Sequence, residues 1–290
     1  MWIVFACGSA LFAGITAVLA KEGIRTTDST VATALRTVVV LAGAWGMVFI
    51  VGSQAELAHL DARSTGLLVL SGLATGASWL CYFKALQLGS VSKVVPIDKL
   101  STVLTVLLAL IFLGERVSLI GALGVVLIAV GTLLMLDADD LRGLPRAVRD
   151  GGGWLLYALG SAFFAALTAI LGKAGITGVE SNLGTAIRTG VVLVMAWVMV
   201  AVTGKFREVR TVPRGELGFV LASGAATCAS WLCYYRALQD GPASVVVPID
   251  KLSVLVTVLF SALVLRETIG RRHLVGLALL VGGVLVMLIR

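Results

Sequence analysis

Five apolar runs, each long enough to cross a bilayer, lie in residues 1–138, and the same five return in order and without a gap in residues 153–290. A helix rises about 1.5 Å per residue, so roughly 20 apolar residues cover a hydrocarbon core of about 30 Å. The ten runs occupy 2–20, 31–51, 65–88, 91–113, 117–136, 154–172, 183–203, 217–240, 243–265 and 270–289. In hydrocarbon every backbone amide needs a partner inside its own segment or in a closed sheet, and the short alternating strands of a barrel do not occur in this sequence. The chain therefore reads as an all-α integral membrane protein. Composition agrees: 59% of the 290 residues are hydrophobic, 13% are charged, and the mean hydropathy is +1.03.

One offset, 152 residues, relates Lys21 to Lys173, Arg36 to Arg188, Trp45 to Trp197, Trp79 to Trp231, Pro96 to Pro248, Glu115 to Glu267 and Gly131 to Gly283. The organisation expected is a first five-helix repeat at 1–138, a polar linker at 139–152 (D-D-L-R-G-L-P-R-A-V-R-D-G-G) and a second repeat at 153–290. The linker has no apolar run and cannot cross the membrane. Five is odd, so the second half enters from the opposite face and the two repeats are inverted. Halves so related can rock about a midplane site and open it to each side in turn.

The first run is not read as a signal peptide, because no basic segment precedes it and its counterpart stands mid-chain at 154–172. Cys7, Cys81, Cys228 and Cys233 all fall within apolar runs and are read as packing residues rather than disulfides or metal ligands. The net charge of +7 is read as a topology signal, not as a nucleic-acid surface. Thirteen basic residues lie outside the runs on the linker's side and four on the other, namely Arg63, Arg116, Lys173 and Arg290. By the positive-inside rule the linker is cytoplasmic and the termini face outward.

Six basic residues remain within the runs, Arg36, Lys84, Lys99, Arg188, Arg236 and Lys251, against two acidic ones, Asp98 and Asp250. A charge at membrane depth costs about 2.5–3.5 kcal/mol even on lenient insertion scales, so a duplicated set argues for an internal polar cavity. Two of each kind sit in V-V-P-I-D-K-L-S, at Val94 to Ser101 and again at Val246 to Ser253. From Asp98 the polar positions continue through Ser101 and Thr105, and from Asp250 through Ser253 and Thr257, one stripe on each fourth helix. Further stripes run through Thr33, Arg36 and Thr37, through Thr185, Arg188 and Thr189, and through Ser9 and Thr16 with Ser161 and Thr168. S-W-L-C-Y, at Ser78 to Tyr82 and Ser230 to Tyr234, adds Trp79, Trp231, Tyr82 and Tyr234. Pro96 and Pro248 lack an amide hydrogen and are expected to kink their helices, as happens at transporter sites.

Plainer readings stand beside these. Arg36, Arg188, Lys84 and Arg236 can snorkel to headgroups. Asp98 and Asp250 can be ion-pair partners of Lys84, Lys99 or their equivalents. Trp45 and Trp197 suit packing, Glu115 and Glu267 suit helix capping or a hinge, and His59 and His273 suit a plain surface. In the functional reading Arg36 and Arg188 bind a substrate's anionic group, since a planar guanidinium grips a carboxylate with two hydrogen bonds. Asp98, about 10 Å from the linker-side surface at 1.5 Å per residue, and Asp250, equally far from the opposite face, then couple transport to protons with Lys84, Lys99, Lys251 and Arg236 as switching partners.

Two inverted five-helix halves, A-L-R-T at Ala34 and A-I-R-T at Ala186, a proline in each fourth helix and L-G-E-R at Leu113 to Arg116 resemble the EamA-type transporters of the drug/metabolite transporter superfamily. The resemblance covers the whole chain. It implies secondary transport in a bacterial inner (plasma) membrane, often export of amino acids or related metabolites, with the fifth helices peripheral. Small multidrug relatives carry a glutamate in the first helix; none stands here, so the likeness does not extend to a broad cation pump.

The leading expectation is an alternating-access carrier of small zwitterionic or anionic metabolites, proton-coupled and working in export. A lipid or polyprenyl-phosphate flippase is the alternative, since a phosphate headgroup would also suit arginine and lysine. A non-transporting scaffold gives no reason for duplicated polar stripes. No Walker-type glycine loop and no nucleophile with a base appear, so neither an ATPase nor another enzyme is expected. No cofactor is expected. The partners expected are the substrate, protons and lipid, without nucleic acid, for a monomer or weak homodimer.

Overall fold

The computed structural model describes residues 1–88, 94, 97–98, 100–135, 153–263 and 270–288. Pro96, Lys99, Glu267 and the linker at 139–152 lie outside the described residues. Among those described there is no strand. The helices are α1 (Trp2–Gly23), α2 (Ser29–Val51), α3 (Ala62–Leu88), α4 (Ser101–Phe112), α5 (Leu119–Leu134), α6 (Gly153–Gly175), α7 (Ser181–Val202), α8 (Phe206–Val209), α9 (Arg214–Asp240), α10 (Ala243–Asp250), α11 (Ser253–Leu263) and α12 (Arg271–Leu288). Among the described residues eight helices are long and apolar enough to cross a membrane, counting Ala243–Phe260 as one; α4 and α5 are apolar but shorter.

The chain forms two compact units, and each draws on both sequence halves. The first comprises Met1–Gly76, Leu171–Gly241 and Asp250–Leu265. Within it α1 packs on α9 and α11, and α2 on α7 and α9. Small residues allow these approaches, as expected where apolar surface alone gives helices no reason to prefer one another over lipid. A Cβ on Gly224 would stand 2.8 Å from Val39 and 3.0 Å from the Arg36 carbonyl oxygen. Its counterpart Gly72 meets Val191 and the Arg188 carbonyl in the same way, at 2.7 and 2.9 Å. The first turns are sealed by carboxylates: Asp28 accepts from the amides of Thr30 and Val31 ahead of α2, and Glu180 from those of Asn182 and Leu183 ahead of α7. Asp28 also pairs with Lys205 at 2.5 Å. Partial burial works against its charge, yet the ammonium and the Thr30 amide hold its carboxyl below the ordinary aspartate value.

The second unit comprises Ala77–Ile170, Pro242–Ile249 and Arg266–Arg290. Its α5 and α12 cross with glycines interleaved: a Cβ on Gly131 would lie 2.6 Å from the Gly276 carbonyl oxygen, and one on Gly124 2.7 Å from that of Gly283. A backbone neighbour cannot swing aside, so only glycine fits at either crossing. Glu115 accepts hydrogen bonds from the amides of Ala243 at 2.7 Å and Ser244 at 2.9 Å, capping the start of α10.

Pro248 lies inside α10, and the helical ladder is interrupted three residues later, at Lys251 and Leu252. Pro248 withholds a donor from the Ser244 carbonyl, while its fixed φ still suits a helix. At the interruption the amides of Val254 and Leu255 reach back only three residues, to Lys251 and Leu252.

Candidate functional site

Arg188 issues from the middle of α7 and is 2% exposed, among the largest wholly buried side chains of the protein. Its Nη2 donates to Thr75 Oγ1 at 2.8 Å, and its Nε to Ser71 Oγ at a longer 3.4 Å. The guanidinium carbon lies 5.0 Å from the ring centre of Trp231 and 4.6 Å from that of Tyr235. Two hydroxyls and two aromatic faces, all neutral, thus surround a cation that never reaches a surface. Such faces attract it through their quadrupoles, more strongly once it is desolvated.

Arg36, its repeat equivalent, is arranged differently. It is half-buried, and among the described residues it has neither a hydrogen-bond acceptor nor an ion-pair partner. The equivalent hydroxyls accept nothing from Arg36: Ser223 Oγ donates to the Val220 carbonyl, and Thr227 Oγ1 donates toward Thr16 and to the Ser223 carbonyl, as Thr75 Oγ1 does to the Ser71 carbonyl. One arginine is therefore hydrogen-bonded, and the other has no partner among the described residues. Neither has a carboxylate within ion-pair distance among the described residues.

The aspartates sit in two matching triads. In the first unit Ser9 Oγ donates to Asp250 Oδ1 at 2.5 Å, Ser230 Oγ donates to the Ser9 carbonyl at 3.0 Å, and the two hydroxyl oxygens stand 3.3 Å apart. In the second unit Ser161 Oγ donates to Asp98 Oδ1 at 2.6 Å, Ser78 Oγ to the Ser161 carbonyl at 3.0 Å, and the hydroxyl oxygens are again 3.3 Å apart. Each triad joins a first helix of one sequence half to the third and fourth helices of the other.

Lys84 and Arg236 are not brought to these carboxylates. Lys84 is exposed and donates to Gln87; Arg236 is exposed and pairs with Asp240 at 3.3 Å. Lys251 is half-buried in the interruption after α10. Trp231 stacks on Arg188, and Tyr234 meets Tyr235 edge-on at 5.3 Å. Trp79 and Tyr82 belong to the second unit, where Tyr82 packs against Ala85, Val94, Ile97, Leu155 and Ala158. The stripe on the fourth helices satisfies much of itself: Thr105 Oγ1 donates to the Ser101 carbonyl at 2.8 Å and Thr257 Oγ1 to that of Ser253 at 3.2 Å. A threonine bonded back to its own helix needs no water-filled cavity, so these hydroxyls are weaker signs of one than their spacing implied.

The sequence reading missed Tyr235, Ser71 and Thr75 as the partners of Arg188, and it placed Ser9, Ser78, Ser161 and Ser230 on polar faces without joining them to the aspartates. One signal was available for Tyr235: its repeat counterpart is Phe83, so the hydroxyl exists in one copy only.

The profile of the EamA-like transporter family matches the chain twice, over residues 1–137 and 152–289. Over 134 residues the chain is 46% identical to a Sinorhizobium protein named "Uncharacterized transporter in cobO 3′region", a stretch covering 46% of this chain and 95% of that protein. An uncharacterized protein of Methanocaldococcus jannaschii is 26% identical over 100 residues, 31% of this chain and 73% of that one. Both relatives are thus close to one sequence half in length. A solved crystal structure shares the fold at a TM-score of 0.74, covering 98% of this chain and 95% of its own at 19% identity.

Proposed function

This chain belongs to the EamA-like transporter family, and we propose that it is a secondary carrier of small carboxylate-bearing metabolites, amino-acid-like or anionic, working by alternating access in a bacterial inner membrane. Its being a multi-pass membrane protein and the transporter name of its relative both point to transport rather than catalysis. The reading takes the ten apolar segments as two inverted five-helix halves and the direction as export.

The observation that carries it is the pair of arginines without acidic partners. An isolated cation out of water is costly unless hydrogen-bonded and paired. Arg188 meets that need with Thr75, Ser71, Trp231 and Tyr235. Arg36 has no such shell and presents its forked N–H groups to an incoming carboxylate. Arg188 keeps the surrounding potential positive, which disfavours cationic compounds. Asp98 and Asp250, the deep carboxylates, are the groups that take up and release the coupling proton.

The test is a thermal-shift screen of purified protein with small carboxylates, each paired with its uncharged amide. A ligand that binds the folded state raises the melting temperature by mass action. Stabilisation by acids and not by their amides supports the reading; stabilisation that ignores the carboxylate overturns it.

A further inference from the structure

We propose that the connector between α7 and α9, residues 205–214, binds the headgroups of anionic phospholipids through Arg207, Arg210 and Arg214, in the leaflet on the linker's side of the membrane. The inference goes beyond the transport reading and uses none of the residues assigned to the metabolite or to the proton.

The connector follows one membrane-spanning helix directly and leads into another, so it lies at the bilayer surface. It contains Lys205, Arg207, Arg210 and Arg214 against one acid, Glu208. A cluster of four or more basic residues next to a spanning helix is the pattern that attracts anionic lipid. The duplication supplies a comparison. The equivalent stretch, 53–62, carries Glu56 and Asp61 with neither lysine nor arginine, so one copy of this connector is basic and the other acidic.

The nearby acids are already occupied. Asp28 pairs with Lys205 at 2.5 Å, which fixes the start of the connector. Glu216 accepts from the amides and hydroxyls of both Thr26 and Thr27 at 2.6 to 3.2 Å. Arg207, Arg210 and Arg214 are exposed, and among the described residues none of their guanidinium groups has a hydrogen bond or an ion pair. Arg214 opens α9, where the helix dipole disfavours a cation, so helix stability does not account for it. A planar guanidinium matches a phosphate with two parallel hydrogen bonds.

Apolar groups accompany the arginines. Phe206 is 53% and Val202 78% exposed, and Phe206 stacks on Trp197 with ring centres 6.0 Å apart. Aromatic rings favour the headgroup level, and exposed apolar side chains interspersed with arginines suit a segment lying in that plane rather than one in free solution.

The test uses full-length protein reconstituted in bilayers of phosphatidylglycerol and phosphatidylcholine, with bromine on the acyl chains of one lipid or the other. Bromine quenches neighbouring tryptophan, and the difference between the parent and Trp197→Phe isolates the lipid beside Trp197. Varying the proportions gives the relative affinity at that position. One basic residue near an anionic surface contributes about fivefold, so the three should give a preference for phosphatidylglycerol of about 10- to 100-fold. Replacing all three by glutamine should bring it to within about twofold of unity, with circular dichroism confirming helix content. Arg210→Gln alone should lower it about fivefold, which decides the matter if the triple variant does not fold. Equal affinity for the two lipids in the parent overturns the proposal, and so does a preference that the variants keep. Loss of the preference on adding inorganic phosphate, against chloride at the same ionic strength, identifies soluble phosphate as the ligand and overturns the lipid assignment. No metabolite enters the assay, so either result leaves the carboxylate reading to its own test.

Discussion

Replacing Arg36 and Arg188 each by lysine makes one chemical change at two repeat-equivalent positions, and the structure predicts opposite consequences. Lysine keeps the charge but loses the planar fork. At Arg188 that fork holds Thr75 at 2.8 Å and lies between the rings of Trp231 and Tyr235. A hydrogen bond to a charged group contributes about 1.5–3 kcal/mol, and a desolvated cation–π contact up to about 2 kcal/mol. Lysine retains part of each, so Arg188→Lys should cost about 1.5–3 kcal/mol of stability. At roughly 2–4 °C per kcal/mol for a chain of this size, the melting temperature falls by about 3–12 °C. Arg36 has no partner to lose, so the melting temperature of unliganded Arg36→Lys should stay within about 2 °C of the parent by the same scale. Its loss appears in binding: one charge-assisted bond to a carboxylate ligand, about 1.5–3 kcal/mol, weakens the dissociation constant about 10- to 150-fold. Differential scanning fluorimetry with and without a carboxylate ligand from the screen reads both numbers. An Arg36→Lys variant that loses as much intrinsic stability as Arg188→Lys, or binds the ligand unchanged, refutes the division of roles.

Three further outcomes are expected. Glu115→Gln keeps one acceptor and turns an amide N–H toward the amides of Ala243 and Ser244, so it should lower stability by about 1–3 kcal/mol, read as a lower melting temperature, with Glu115→Asp recovering part. Asp28→Ala removes the cap of α2 and the pair with Lys205 and should cost about 1–2 kcal/mol. Because the folded carboxyl lies below its ordinary value, that difference between parent and variant is full above pH of about 4 and disappears as the pH falls through the depressed value. A reporter active only in the cytoplasm should give signal when inserted in the linker at 139–152 and stay silent at either terminus; the reverse pattern overturns the basic-residue count.

The helices were legible because membrane depth leaves the backbone little choice. An apolar run of the right length must be helical there, and the cappers Asp28 and Glu180 stand just ahead of their runs. Helix-face periodicity also singled out Ser9, Ser161, Asp98 and Asp250, which meet in the two triads. What it cannot give is the partner across the interface. Ser9 reads as one of a stripe on the first helix, and nothing local says that its hydroxyl meets Asp250, 241 positions later. The partners of the charges within the apolar runs were hidden for a related reason. Lys84 and Arg236 follow S-W-L-C-Y inside an apolar run, yet long side chains near a helix end reach polar neighbours at the surface, Gln87 for one and Asp240 for the other.

The duplication turns the chain into its own control. In the triads the two copies keep both the residues and the geometry: the Ser9, Ser230, Asp250 set and the Ser161, Ser78, Asp98 set agree within 0.1 Å at each of their three separations. Where the copies differ, the geometry parts as well. Tyr235 faces Arg188, and phenylalanine is its counterpart at 83. A carrier that opens to each side in turn needs its coupling group on both sides of the cycle, because an ion taken up at one face must be released at the other. In the proposed carrier a substrate's carboxylate needs one strong grip at a time, and two equally free arginines would hold it too tightly to let go. In the proposed carrier, that argument gives the matching triads and the unmatched arginines one cause. A carrier of that kind keeps both copies of what serves both faces and tolerates a difference where a single grip suffices.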